Sequence, residues 1–319
     1  MKFSVIIPLY NKAPYVAKAI ISVLSQTCPD FELVIMDDGS KDDSFDVASK
    51  AIEGRGNCHI YGQENAGVSV ARNNAVAFSH GDYLCFLDAD DWWAPTFLEQ
   101  MSRMIDDYPE AGIYGSNYVI VNETRHKTRV APVGVETGFE RGYIKYCQVY
   151  AKTMAMPLWT GAVCVPRSVF NEMRGFPKGV ALGEDFLLWI RISLKYKVAF
   201  LNLPLSYYNQ DSDPLWRGVG RLRDPNSHML WNVGSLDAFE KTDPDYKQLI
   251  DNLRAYSLFP YFLSKQYHDT ARLELDKVDW TRQPNKTRLR YQMPVWFLRL
   301  RQTVLVYGVV VKQWILKKI

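Results

Sequence analysis

Tyr83-Leu-Cys-Phe-Leu87 runs directly into Asp88-Ala-Asp-Asp91. Five apolar residues without a polar break have the pattern of a strand buried on both faces, and the acids that follow mark its end. The same arrangement recurs towards the N-terminus. Ser4-Val-Ile-Ile-Pro8 is a short strand rich in β-branched residues, and Phe31-Glu-Leu-Val-Ile-Met36 is a second, ending in Asp37-Asp38-Gly39-Ser40. His59-Ile-Tyr61 is a shorter third. Between these runs lie helical patterns over 15–27, 43–51 and 68–78, and a further helix from Pro95 to Tyr108 follows the acids. Strand and helix in alternation, joined by short turns, predict an α/β fold: a mostly parallel sheet with helices on both faces.

Downstream, Ile113–Val121 and Gly161–Val165 read as strands, Arg167–Met173 as a short helix, and 186–196 as a helix after Gly183-Glu-Asp185. Val198–Leu201 and Leu205–Tyr208 read as two short strands. In 122–158 the pattern is weak: Glu123–Arg129 is polar and Gly138–Val149 predicts a helix. Beyond about residue 211 only helical patterns remain, which predicts an α/β domain over 1–215 and a helical C-terminal extension over 216–319.

Composition narrows the function classes. With 319 residues, 47% hydrophobic and 23% charged, the chain is that of a folded protein rather than a disordered one. A net charge of +3 does not suit a general nucleic-acid binder, so no nucleic-acid partner is expected. The charge is uneven, however: nine basic residues and no acid lie from Trp280 onward, against a net −6 over 1–279. Five scattered cysteines without a C-x-x-C pair exclude a disulfide framework and a thiolate zinc site, and suggest a reducing, cytoplasmic compartment. Phe3–Leu9 is too short for a signal peptide core, and no apolar run reaches the length of a membrane span.

Each acidic cluster has a local explanation. Asp37-Asp38-Gly39-Ser40 suits a turn and a helix cap, and Glu184-Asp185 suits a helix start, where the dipole favours the ionised carboxylate. Three carboxylates in Asp88–Asp91 repel one another unless a cation or solvent neutralises them, and Mg2+ or Mn2+ prefers such oxygen ligands, shared with substrate phosphates. Neither a dinucleotide fingerprint nor a Walker-type loop is present, Gly54-Arg-Gly56 being only a partial match. In open α/β sheets ligands bind beyond the carboxyl ends of the strands, where two of these clusters fall.

Taken in order, these pieces resemble the family 2 glycosyltransferases of the GT-A, nucleotide-diphospho-sugar transferase fold. The resemblance is carried by Ser4-Val-Ile-Ile-Pro-Leu-Tyr-Asn11, Ser22-Val-Leu-Ser-Gln-Thr27, Phe31–Asp42, Asn65-Ala-Gly-Val-Ser-Val-Ala-Arg-Asn73, Gly81–Asp91, Gly175-Phe176 and Gly183–Arg191, and it spans about 1–210. It implies that Pro8, Tyr10, Asp37 and Asp38 line the nucleotide pocket, Asp38 accepting hydrogen bonds from the base while Asp37 supports the turn. Arg72 is expected near the diphosphate. Asp88 and Asp90 form a D-x-D, the first on ribose or metal and the second on metal. Asp185 is the expected catalytic base, with Glu184 beside it in the acceptor cleft. The Q-x-x-R-W element of processive synthases is not matched in Pro214–Leu222, which implies one sugar per encounter.

The expected reaction is therefore inverting transfer of a single sugar from a nucleotide-diphospho-sugar to a hydroxyl of a glycan or lipid-linked glycan, assisted by Mg2+ or Mn2+. A carboxylate removes the acceptor proton, and the bound ion offsets charge on the leaving diphosphate. A glycoside hydrolase also uses paired carboxylates, but needs neither a D-x-D nor a nucleotide pocket. A non-catalytic nucleotide-sugar-binding scaffold is the other alternative. Trp159, Trp189 and Trp216 are candidates for stacking on sugar rings. The segment 293–319 combines tryptophans, aliphatic residues and lysines and arginines, and is expected to lie along the cytoplasmic face of an anionic membrane.

Overall fold

The computed structural model of the chain describes residues 2–122, 124–211 and 222–300. These fall into two compact units. One runs from the N-terminus to 211 and takes in Arg223–Tyr246; the other takes in Leu222 and the residues from Lys247 onward.

The first unit is built on a parallel set, β1 (Phe3–Leu9), β2 (Phe31–Asp37), β3 (Cys58–Gly62) and β4 (Tyr83–Phe86), in the spatial order β3-β2-β1-β4. Helices α1 (Ala13–Leu24), α2 (Ser44–Ala51) and α3 (Val68–Ala77) connect them. Every residue of β1 and β2 is buried, which is why both are unbroken apolar runs apart from Ser4, Glu32 and Asp37. Alternation then sorts their side chains. Phe3, Val5, Ile7 and Leu9 join Val16, Ile20 and Val23 of α1 and Phe97, Met101 and Met104 of α4 (Phe97–Asp107) in one core cluster. On the other face Phe86 meets Phe176 and Trp189, the latter on α7 (Glu184–Ser193). Trp189 is fully buried there, so it is a core residue and not a sugar platform.

Past β4 the sheet becomes mixed. After β5 (Trp92–Trp93), β6 (Ala111–Asn122), β7 (Lys127–Val130) and β8 (Arg141–Ile144), strand β9 (Val163–Pro166) enters between β4 and β6 and is antiparallel to both. Strand β10 (Lys197–Asn209) then pairs parallel with β6 and antiparallel with β5 and β8. Running against its neighbours, β9 starts at the edge where β1, β2 and β4 end, which delivers Thr160 and Gly161 to that edge.

Three details differ from the sequence reading. The helix expected over Gly138–Val149 is instead strand β8 followed by α5 (Tyr146–Thr153), because Val198–Leu201 offers a sheet edge that pairs with Arg141–Ile144. The polar stretch after Asn122 contains β7, a fully exposed strand on β6 whose side chains have no buried face to pattern them. The two strands expected over 198–208 are one, interrupted around Pro204 by register shifts, where a residue without an N–H is tolerated. Short helix α6 (Arg167–Glu172) follows β9 as expected.

Two polar devices align these elements. Gln26, nearly buried after α1, donates to Ala94 O at 2.9 Å and accepts from Leu98 N at 2.9 Å, tying the end of α1 to the first turn of α4. At the amino ends of the strands, Ser4 Oγ donates to Glu32 Oε1 at 2.7 Å, and Gly81 N donates to both. Arg167 closes this knot through Gly81 O at 2.6 Å and Ser4 Oγ at 3.2 Å. A side chain at Gly81 would stand 2.6 Å from the Phe3–Ser4 backbone, so only glycine fits.

The first unit continues past the boundary expected at 215/216, which itself falls on residues outside those described. Ala181 N donates to Ser227 O, and Met229 N donates to Leu182 O. These bonds pin 225–231 to the loop before α7, and the unit closes with α8 (Phe239–Thr242). From α9 (Pro244–Ser257) the chain enters the helical second unit, with α10 (Phe259–Leu263), α11 (His268–Leu275) and α12 (Asn285–Gln292). Its centre is charged: fully buried Arg254 pairs with Glu274 at 3.2 Å and with Asp251, which also accepts from Lys247 and from Asp279 N. Arg299 donates to the carbonyls of Leu263 and Ser264 at the end of α10, so one of the nine basic residues acts as a helix cap. Trp296, Phe297 and Leu300 are exposed. Among the described residues no helix is long and apolar enough to cross a membrane. The rest of the expected membrane segment, 301–319, lies outside them, as does Trp216.

Candidate functional site

The carboxyl ends of β1, β2 and β4 converge at one edge of the sheet, and all the expected donor-side residues lie there. Pro8 is buried within β1, while Tyr10, just past its end, is 42% exposed and free to stack on a planar group. Asp37 and Asp38 are both buried but differently engaged. Asp38 Oδ1 accepts from Gln63 Nε2 and Ala66 N, each at 2.8 Å, and Oδ2 accepts from Gly67 N at 2.9 Å. Its carboxylate thus staples the loop after β3 to the end of β2. Asp37 Oδ2 accepts from Ser40 N at 3.1 Å, whereas Asp37 Oδ1 is buried without a partner. A buried acceptor left open in a native fold calls for a donor from elsewhere.

At the end of β4 every acid is engaged. Arg72 projects inward from α3, 3% exposed, and bridges Asp88 Oδ1 at 2.7 Å and Glu184 Oε1 at 3.0 Å. Burial alone lowers its pKa, yet Asp88, Glu184 and Asp185 together drive it above its ordinary value. Arg72 therefore welds the D-x-D to the start of α7. Asp90 Oδ2 accepts from Lys12 Nζ at 2.7 Å. Asp91 is 1% exposed, accepting from Asn209 N at 2.8 Å and Trp159 Nε1 at 3.2 Å; burial first, then the Asp90 and Asp88 charges, push its pKa well up. It is a brace between β4 and the end of β10, and Trp159 is occupied by it and by Tyr118 and Tyr208.

Asp185, adjacent to Glu184, sits at the first turn of α7. Thr160 Oγ1 donates to its Oδ2 at 2.7 Å, and Phe186 N donates to Oδ1 at 2.8 Å. Burial, and next the charge of Glu184, push its pKa up to about 7 against the pull of Thr160 and Arg72. The helix start alone favours the ionised form; here desolvation outweighs it. A carboxyl that titrates near neutrality is matched to moving a proton at neutral pH.

The donor set also bears on a metal. Asp88 and Asp90 offer hard carboxylate oxygens on one turn, one oxygen of Asp88 being taken by Arg72. Among the described residues no group of three His, Cys, Asp or Glu side chains converges as a cage. Two carboxylates fit Mg2+ or Mn2+, which take one or two carboxylates and complete their shells with phosphate and water. Thr160 and Lys12 escape sequence reasoning. Lys12 follows directly on Tyr10-Asn11 at the end of a strand that neighbours β4, which is the signal that could have pointed to it.

Three known proteins are instructive. GlyA of Streptococcus pneumoniae is 36% identical over 215 residues, covering 65% of this chain and 30% of GlyA. WfaP of Escherichia coli, a UDP-Glc:alpha-D-GlcNAc-diphosphoundecaprenol beta-1,3-glucosyltransferase, is 28% identical over 206 residues, 64% of this chain and 76% of WfaP. The crystal structure of S. aureus TarS 1–349 in complex with UDP superposes with a TM-score of 0.67 at 19% identity, over 87% of this chain and 80% of that one, and so shares the fold. The chain spans only 30–38% of the length of the first curated relatives it matches. The glycosyl transferase family 2 model matches residues 4–173, from the first strand of the sheet to the helix beyond β9, and with that match over half its length the chain belongs to glycosyl transferase family 2.

Proposed function

We propose that the chain is an inverting glycosyltransferase that moves one sugar from a nucleotide-diphospho-sugar to a hydroxyl of a glycan or lipid-linked glycan acceptor. The observation that carries this reading is the Asp88–Arg72–Glu184 bridge, which fixes Asp185, a carboxyl titrating near 7, beside the D-x-D. Tyr10 stacks on the nucleobase, and the open Oδ1 of Asp37 accepts from it in place of the Asp38 contact that the resemblance implies, since Asp38 already accepts three hydrogen bonds from the loop. Asp90 and Asp88 would hold Mg2+ or Mn2+, which supplies Lewis-acid relief of charge on the leaving diphosphate. Asp185 takes the proton of the acceptor hydroxyl as the new bond forms on the face opposite the leaving group. Thr160 holds that carboxylate in place and favours its charged form. One base and one displacement invert the anomeric centre. WfaP supports a uridine diphosphate sugar and a lipid-linked acceptor by likeness.

The test is transfer from a panel of nucleotide sugars to glycan acceptors. Wild-type turnover is expected to rise with pH through about 7, as Asp185 loses its proton. Asp185→Asn is expected to lower turnover by ~10²–10⁴ while nucleotide affinity stays close to wild type. Near-wild-type turnover in the variant overturns the assignment.

The C-terminal segment is proposed as a peripheral contact with the cytoplasmic face of a membrane. Exposed Trp296 and Leu300 stand beside a run of basic residues without an acid. Deleting residues from Met293 onward is expected to abolish binding to anionic vesicles at low salt, and equal vesicle binding by the full and truncated chains refutes it.

A further inference from the structure

Lys12 caps no helix with its side chain, yet it reaches one of the two D-x-D carboxylates. Its backbone is fixed: Lys12 N donates to Ser44 Oγ at 2.7 Å, and Lys12 O accepts from Tyr15 N and Val16 N at the start of α1. From that base the ammonium spans to Asp90 Oδ2 at 2.7 Å, with about a fifth of each side chain exposed. The partner acid differs. Asp88 is held by Arg72, which is itself clamped by Glu184 and almost wholly buried, so this pair is part of the frame. Lys12 is a point charge on a flexible stem, and it pairs with Asp90.

A divalent cation on Asp90 would have to share that carboxylate with the ammonium, which weakens the hold of each on it. The two positive charges also repel. We propose that Lys12 is a resident counter-ion of Asp90, holding the metal position against a bare divalent cation and releasing it when the cation arrives with a nucleoside diphosphate. The diphosphate oxygens then receive the displaced ammonium, within reach of the same stem. Lys12 is thus a positioning residue that couples cation binding to donor binding, so that metal and donor enter together. The proposal rests on the metal-assisted reading above.

The experiment titrates Mn2+ into the full chain, following free Mn2+ by its electron paramagnetic resonance signal, with and without UDP. Lys12→Met and Lys12→Gln are compared with wild type and with Lys12→Arg, each checked for folding by circular dichroism. Without UDP, Lys12→Met and Lys12→Gln are expected to bind Mn2+ on the order of tenfold more tightly than wild type, the size of one charge-assisted hydrogen bond. Lys12→Arg is expected to behave as wild type. The enhancement of Mn2+ affinity by UDP is expected to shrink by a similar factor in the two neutral variants. Unchanged or weaker Mn2+ binding by both neutral variants without UDP overturns the role of Lys12 while leaving the metal site standing. If no form binds Mn2+ even with UDP, the metal-assisted reading fails and this proposal fails with it.

Discussion

The ends of β2 and β4 look alike in sequence, each a buried strand closing on a cluster of aspartates, yet they neutralise those aspartates by opposite means. At the end of β2, Asp38 is met by neutral donors: two backbone N–H groups and one amide side chain. At the end of β4, Asp88 and Asp90 are met by full cations, Arg72 and Lys12. Neutral donors fixed in a loop hold a carboxylate in one geometry and make it part of the scaffold. Cations leave a site whose charge balance depends on where they are, which suits a place where a doubly charged ion and a diphosphate come and go. In two clusters of like sequence the partners, and not the place in a motif, decide how each charge is held.

The comparison breaks most readily at Arg72. Arg72→Met strips the counter-charge from Asp88 and Glu184 together, and breaking so buried a pair costs about 3 kcal/mol. A large drop in the urea midpoint at neutral pH is expected, with partial recovery as the carboxylates protonate in acid. A midpoint unchanged from wild type would show the bridge to be incidental. At the other end the effect is smaller. Asp38→Ala leaves two loop N–H groups without their acceptor, a loss of about 2 kcal/mol in the same measurement. The smallest effect on stability is expected from Asp37→Asn, within about 1 kcal/mol, but UDP affinity by calorimetry should fall about tenfold because the open acceptor becomes a donor. If Asp38→Ala folds with full stability and loses UDP, and Asp37→Asn binds normally, the two roles are the reverse of those assigned.

Much of this was legible in the chain. Strands buried on both faces must be written in apolar residues, so β1, β2 and β4 stood out, and the acids of β2 and β4 marked the edge at which they end. The place of Asp185 in the first turn of a helix after Gly183 was legible as well. What escaped did so for physical reasons. Exposed β7 needs no apolar face, and β8 takes its shape from a partner more than fifty residues away. Arg72 sits on a helix with little amphipathic contrast, so nothing local marks it as buried. The way Asp38 is held depends on the loop 63–67, which no spacing reveals. The end of the first unit depends on backbone bonds between 181–182 and 227–229, distant in sequence from the change of composition near 211.

The knot of Ser4, Glu32, Gly81 and Arg167 lies at the amino ends of the strands, away from all of this. It sets the mutual alignment of β1, β2, β4 and β9 with side chains remote from the acidic clusters. Variation is thereby partitioned: the loops at the working edge are at liberty to diverge, acquiring a different donor or a different acceptor, while the strands that present them are kept in step from behind. A lineage built on such a frame can change its trade without relearning how to fold.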